Sequence, residues 1–124
     1  IIESIRNGRD VPVYGDGKQQ REWIHVEDNA KAILLLMESI HSGVWNIGSG
    51  DRWTNINIVK AIGKILDKEI KFKYVNDRLG HDRAYAINSS KFRKAFPQWK
   101  PNLKLGEYLR EKEHGFNWFN EHAI

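Results

Sequence analysis

The 124-residue sequence contains no cysteine. This excludes a disulfide framework, a thiolate metal site and a cysteine nucleophile within it, and it favours a reducing, cytoplasmic setting. Long hydrophobic runs are also missing. The longest, at 32–37, falls far short of the ~20 residues that span a bilayer. The opening residues do not follow the pattern of a signal peptide. Charge of one sign is scarcely in surplus: 20 Lys and Arg stand against 16 Asp and Glu, a net +4. That balance does not by itself point to nucleic acid. The five histidines show no H-E-x-x-H or comparable spacing, so no metal site is expected. Internal repeats, low-complexity tracts and long linkers are absent as well.

What is present describes an ordinary folded segment, 40% hydrophobic and 29% charged, of a length that suits one domain. The chain opens Ile1-Ile2-Glu3-Ser4-Ile5 without a methionine. It reads as the last turns of an apolar helix, and hence as a fragment of a longer protein. Residues 1–6 are predicted helical and stopped by Asn7-Gly8. Residues 11–14 form a short strand with Pro12 at an edge or strand start, and 15–18 a turn. The alternation over 21–26 predicts a second strand.

Asp28 or Glu27 is expected to cap a helix reaching about Ile40. Its run at 32–37 is apolar on nearly every side and asks for cover on more than one face. Val44 to Ile47 is a candidate buried strand. Thr54 should cap a helix carrying Ile58, Val59, Ile62, Ile65 and Leu66 on one face. Residues 70–75 alternate as a half-exposed strand, and 76–85 form a charged loop. Ser89 or Ser90 should cap a short helix with Phe92 and Phe96 one turn apart. A last helix is expected from about Leu103 to Glu121, weakened in the middle by Gly115, with Phe116, Trp118 and Phe119 as core or interface residues. The order of elements is mixed α/β.

Three clusters could carry chemistry. In 14–23, Gly15 and Gly17 permit close approach of a ligand to the backbone. Lys18 and Arg21 add cationic donors, Arg being able to grip a phosphate with two parallel N–H bonds, and Tyr14 offers a flat face. A solvated hairpin turn is the plainer account of the same residues. In 78–85, Arg78, His81, Asp82 and Arg83 crowd one loop, which is either simply solvated or arranged around an anion. His81 could donate to a phosphate oxygen, and Asp82 could fix an arginine. At 53–55 a helix begins, where free N–H groups and the helix dipole favour an anion within reach of Asn55. Two Y-x-x-x-K matches, Tyr14 to Lys18 and Tyr108 to Lys112, are discounted. The first contains two glycines and no helix would align it, and no dinucleotide-binding turn precedes either.

Taken together, the clusters resemble a known family. Residues 12–28, PVYGDGKQQREWIHVED, are similar to a segment of extended short-chain dehydrogenases that act on sugar nucleotides. Asn46-Ile47-Gly48 and Thr54-Asn55 fall where that family has them. Residues 78–87, RLGHDRAYAI, closely resemble the R-P-G-H-D-R-R-Y-A-I segment of dTDP-glucose 4,6-dehydratases. Leu79 stands where the family has proline, and Gln20 where it has an apolar residue. The tail from Glu107 to Ile124 follows the family's usual ending less closely.

The resemblance implies that residues 1–124 are the C-terminal, sugar-nucleotide-binding domain of a longer enzyme. Arg21 and Arg78 would grip the pyrophosphate. Asn55 and His81 would hydrogen-bond the diphosphate portion, and Pro12 and Tyr14 would pack around the thymidine. The family's NAD-binding turn, Tyr/Lys dyad and acid/base carboxylates belong to an N-terminal half, so this chain would carry no catalytic or cofactor-binding residue and would be inactive alone. The helix at 32–37 and the strand at 44–47 would complete the cofactor domain. The parent would be an NAD-dependent hydro-lyase of deoxysugar biosynthesis. It would convert dTDP-glucose to dTDP-4-keto-6-deoxyglucose as a homodimer, with no nucleic-acid or membrane partner. Two alternatives remain open. One is a related UDP-sugar epimerase or decarboxylase. The other is a separately encoded sugar-nucleotide-binding module that pairs with a cofactor-binding partner.

Overall fold

The computed structural model describes residues 1–111. Along these residues the order is α1 (Ile2–Arg6), β1 (Val11–Tyr14), β2 (Gln20–Trp23), α2 (Val26–Met37), β3 (Asp51–Thr54), α3 (Asn55–Ile65), β4 (Phe72–Val75), α4 (Ser90–Ala95) and α5 (Leu105–Glu111). The mixed α/β expectation holds. The strands make two small sheets. β1 and β4 are parallel, with Val13 opposite Tyr74 and Tyr14 opposite Val75. β2 and β3 are antiparallel, with Gln20 opposite Thr54 and Arg21 opposite Trp53.

Two apolar clusters hold these pieces together. The first gathers Ile5, Val11, Ile58, Val59, Ile62 and Leu109, with Trp53, Ile65, Leu66 and Phe72 packed against it. The i, i+1, i+4 spacing of Ile58, Val59 and Ile62 turns one face of α3 onto β1 and α1. The second gathers Ala32, Phe92, Phe96 and Trp99, with Leu35, Leu36 and Trp45 around them. Phe92 and Phe96 sit one helical turn apart, their ring centres 4.9 Å from each other. Only one side of α2 is covered: Ala32 is buried, while Ile33, Leu34 and Met37 are open to solvent. Among the described residues, no helix is long and apolar enough to cross a membrane.

Several local expectations need correction. The cap of α2 is neither Asp28 nor Glu27 but His25, whose Nδ1 accepts from the Glu27 N–H. Asp28 has a heavier task. It is 2% exposed, and its Oδ2 accepts the Asn102 and Leu103 N–H groups at 2.9 and 3.3 Å. Its backbone carbonyl accepts the Trp99 indole N–H. α2 ends at Met37, short of Ile40. Residues 44–47 form no strand, and Val44 is exposed; the described residues bring no strand beside them with which to pair. A strand does form at Asp51–Thr54, running into the expected helix start, because β2 supplies its ladder.

Ser89 precedes α4 without capping it through its side chain. It donates instead to the Gly48 carbonyl, and the Asn88 side chain accepts the Ser90 N–H. Thr54 does cap α3 as expected, accepting from the Asn57 N–H. The last described helix starts at Leu105 rather than Leu103, where the Asp51 carboxylate accepts the Leu105 N–H at 2.7 Å. The expectations for Gly115, Phe116, Trp118, Phe119 and the helix end at Glu121 lie outside the described residues.

Candidate functional site

The turn after β1 sets the geometry. Gly15 and Gly17 have φ of +56° and +70°, a left-handed conformation that glycine adopts without a Cβ penalty. They close the turn through Gly17 N–H to Tyr14 O, and the Ile56 N–H then reaches Gly17 O. A Cβ on Gly15 would come within 2.9 Å of the Asp77 carboxylate. The absence of a side chain there lets the segment after β4 close down on the turn. Gln19 follows, 1% exposed, and its amide donates to Asp77 Oδ2 at 2.7 Å.

Asp77 organises the start of the charged loop. Its Oδ1 accepts the Arg78 N–H at 2.9 Å and lies 2.6 Å from His81 Nδ1. The His81 hydrogen bond, helped by Arg78 N–H and Gln19 and opposed by partial burial, holds the Asp77 carboxyl below its usual range. A turn closes from the His81 N–H to the Arg78 carbonyl. The Arg78 guanidinium then lies over the Tyr14 ring, 4.3 Å from its centre, and His81 meets the same ring edge-on at 6.4 Å. Tyr14, Arg78 and His81 are thus brought together across β1 and the loop.

Arg21 reaches this loop from the other side. Gln20 bridges in parallel to Ala84, with Gln20 N–H to Arg83 O and Tyr85 N–H to Gln20 O. This seam lays residues 83–85 beside β2. Arg21 donates to the Asp82 and Gln20 carbonyls, and its guanidinium lies over the Tyr85 ring at 4.4 Å. The Tyr85 hydroxyl donates to the Asp82 carboxylate, which raises the Tyr85 pKa. Asp82 therefore does engage Arg21, but through its backbone carbonyl. Asn55 is the first residue of α3, and its N–H donates to Gln19 O at 3.0 Å, which ties the helix start to the same turn. Pro12 is exposed on β1, two residues before Tyr14 and opposite Lys73.

The loop's remaining charges are spoken for. Arg83 and Asp16 form a two-point ion pair at 2.8 and 2.9 Å, which together with the Lys18 N–H lowers the Asp16 pKa to about 2. Lys18 thus enters the turn through its backbone. The Tyr14 to Lys18 match spans a strand end and a turn, not a helix, as its glycines require. A separate cavity of about 430 Å³ is lined by Arg52, Ile87, Ser89 and Arg93 among others. Its arginines are engaged too: Arg52 with Glu22, and Arg93 with the Gly48 and Ser49 carbonyls.

Sequence reasoning placed Gln19 and Tyr85 within the clusters without giving them a role, and left Asp77 outside. Tyr85 carried a signal, an aromatic inside a charged loop. Gln19 and Asp77 carried little, because a buried glutamine and a loop aspartate look like solvated residues until the chain is folded.

Comparison with known proteins shows what the chain resembles. The model of the NAD dependent epimerase/dehydratase family matches residues 1–48, the stretch from α1 through α2 and beyond. The low-salt glycan biosynthesis protein Agl12 of Haloferax volcanii is 41% identical over 88% of this chain and 35% of its own length. The dTDP-glucose 4,6-dehydratase 1 of Escherichia coli is 38% identical over 90% of this chain and 33% of its own. Among solved structures, the dTDP-glucose 4,6-dehydratase of Bacillus anthracis in complex with NAD superposes with a TM-score of 0.82. It does so at 34% identity, over 98% of this chain and 38% of that one. The chain spans about a third of the length of the curated relatives it matches. Over most of its own length the chain is thus similar to dTDP-glucose 4,6-dehydratases, and its first 48 residues match the NAD dependent epimerase/dehydratase family.

Proposed function

We propose that residues 1–124 are the sugar-nucleotide-binding domain of an NAD-dependent dTDP-glucose 4,6-dehydratase, and that the cluster around residues 78–85 holds the diphosphate of the substrate. The observation that carries this reading is the seam between Gln20 and Ala84. It lays the loop that carries Arg78, seated on Tyr14, beside the strand that carries Arg21, seated on Tyr85. Guanidinium groups already seated on aromatic faces lose less freedom when they bind an anion, which favours a fixed diphosphate over a mobile counter-ion. Asn55 adds its side-chain amide beside the positive end of the α3 dipole, the N–H groups of Asn55, Ile56 and Asn57 being already taken by Gln19, Gly17 and Thr54. Pro12 and Tyr14 share one face of β1 and offer apolar surface to the base.

NAD, when bound to the parent enzyme, supplies hydride transfer, and none of this chain's residues is assigned to it. Arg21, Arg78, Asn55 and His81 bind and orient the diphosphate, and Pro12 and Tyr14 hold the nucleoside. The open side of α2, with Leu34 and Met37 exposed, is where the N-terminal, cofactor-binding half packs. The parent acts in the cytoplasm as a homodimer on dTDP-glucose, and this chain alone binds without turnover.

Calorimetric titration of the 124-residue chain with dTDP, UDP and GDP tests the reading. Binding of dTDP ahead of the other two supports it. A preference for UDP would move the assignment to an epimerase or decarboxylase of the same family, and no binding of any of the three would remove the site.

A further inference from the structure

A buried glutamine whose amide is spent on a carboxylate, which in turn grips a histidine, is an arrangement with a direction. Gln19 is 1% exposed. Its Nε2 donates to Asp77 Oδ2, while its Oε1 is buried with no hydrogen-bond partner. Turning the amide over would set its oxygen against a carboxylate oxygen at 2.7 Å, so the contact with Asp77 fixes the orientation at the cost of an unpaired carbonyl. The Asp77 side chain, 41% exposed, is held by several partners. Gly15 leaves it room, Gln19 and the Arg78 N–H donate to it, and His81 Nδ1 lies 2.6 Å from its Oδ1.

An ionised carboxylate has no proton to give. At 2.6 Å the hydrogen must therefore sit on His81 Nδ1, and Nε2 is the ring nitrogen left for any other partner. The neutral ring then presents a lone pair at Nε2, which diphosphate oxygens repel. Only the imidazolium presents an Nε2–H that can donate to them.

We infer that Asp77, oriented by Gln19, is a positioning residue that fixes the His81 tautomer, so that the ring serves a diphosphate through Nε2 only after taking up a proton. This rests on the proposed diphosphate site and adds a regulation to it: sugar-nucleotide binding is coupled to proton uptake. The other charged and titratable groups of the neighbourhood are accounted for. Tyr14 of β1 meets the ring edge-on and carries Arg78 on its face. Asp16 and Arg83 neutralise one another, and the Asp82 carboxylate is engaged by Tyr85.

Two measurements on the 124-residue chain decide the matter, neither of which needs a variant. The first is the pair of His81 ring nitrogen shifts in the free protein. Above the imidazole range, about pH 5–8, a protonated Nδ1 and a bare Nε2 are expected, and the opposite tautomer would overturn the inference. The second is calorimetry with dTDP-glucose from pH 5 to pH 8, in buffers of different ionisation enthalpy. A diphosphate esterified at both ends does not titrate near neutrality, so any pH dependence belongs to the protein. The expected affinity falls with rising pH, approaching about tenfold per unit at the alkaline end, with net proton uptake on binding. Affinity that is flat with pH would overturn the coupling.

Asp77→Asn frees the ring to take either tautomer and should flatten the pH profile without abolishing binding. A variant that keeps the wild-type profile would overturn the role of Asp77. Failure to bind at any pH would instead remove the diphosphate site and the coupling with it, while the nitrogen shifts of the free chain still judge the orienting role by themselves.

Discussion

The Arg78 guanidinium lies over the ring of Tyr14, 4.3 Å from its centre. The two residues are far apart in the chain and meet because β1 and β4 run in parallel, which delivers the loop after β4 to the end of β1. The contact is a cation–π interaction on an exposed surface, worth about 0.5–1 kcal/mol. Tyr14→Leu keeps the apolar bulk and removes that contact. It is expected to weaken dTDP binding roughly two- to fivefold on that basis, read by calorimetry, with little change in the unfolding midpoint.

Gly17 is the least replaceable residue of the turn. Its φ is +70°, and a Cβ there would meet Val13 Cγ1 at 2.6 Å and Ile56 Cβ at 3.1 Å. Val13 is buried on β1 and Ile56 sits in the first turn of α3, so neither gives way cheaply. Gly17→Ala should cost about 1–3 kcal/mol of stability, seen as a lower urea midpoint with an unchanged slope. Gly8 also has a positive φ, but open space surrounds its Cβ position, and the same substitution there should cost less.

Asp28 joins α2 to the segment before α5. Asp28→Ala leaves the N–H groups of Asn102 and Leu103 without their acceptor. Buried donors left unpaired cost about 1–3 kcal/mol, and these part-buried ones should fall at the low end of that range. The loss should be visible in chemical denaturation and as a change in tryptophan fluorescence, since Trp99 is anchored on the Asp28 carbonyl.

The Asp16–Arg83 pair gives an acid-side prediction. The hydrogen bond from Arg83 lowers the Asp16 pKa from 3.8 to about 2. Its folded value lies below its unfolded one, so the pair's contribution is present above about pH 3.8 and is lost as pH falls through about 2. Carboxyl carbon shifts should show Asp16 titrating near that lower value, and Arg83→Ala should raise it toward the ordinary range. An Asp16 that titrates normally in the parent chain would contradict the ion pair.

Much of this was legible in the residues. Apolar spacing gave α3 its buried face, Gly15 and Gly17 marked a turn, and Phe92 and Phe96 announced α4. What escaped was set by pairing at a distance. β3 exists because β2 lies beside it, and nothing in Asp51–Thr54 alone says strand. Val44 to Ile47 looks like a strand by composition and is none, because no described strand borders it. Asp28 looked like a cap, a role its position permits, but backbone groups more than 70 residues later claim its carboxylate. For the candidate site, the cationic and aromatic residues were readable from type and spacing. Gln19 and Asp77, which orient His81, became visible only once the loop had closed on the turn.

The central claim is that Arg21 and Arg78 serve one diphosphate, and calorimetric titration of dTDP into the chain carrying Arg21→Ala, Arg78→Ala and both tests it most directly. Each charge-assisted contact is worth about 1.5–3 kcal/mol, so each single substitution should weaken binding roughly ten- to hundredfold, and the double substitution should lose measurable affinity. Affinity unchanged by either substitution, in proteins whose unfolding curves match the parent chain, would contradict the account.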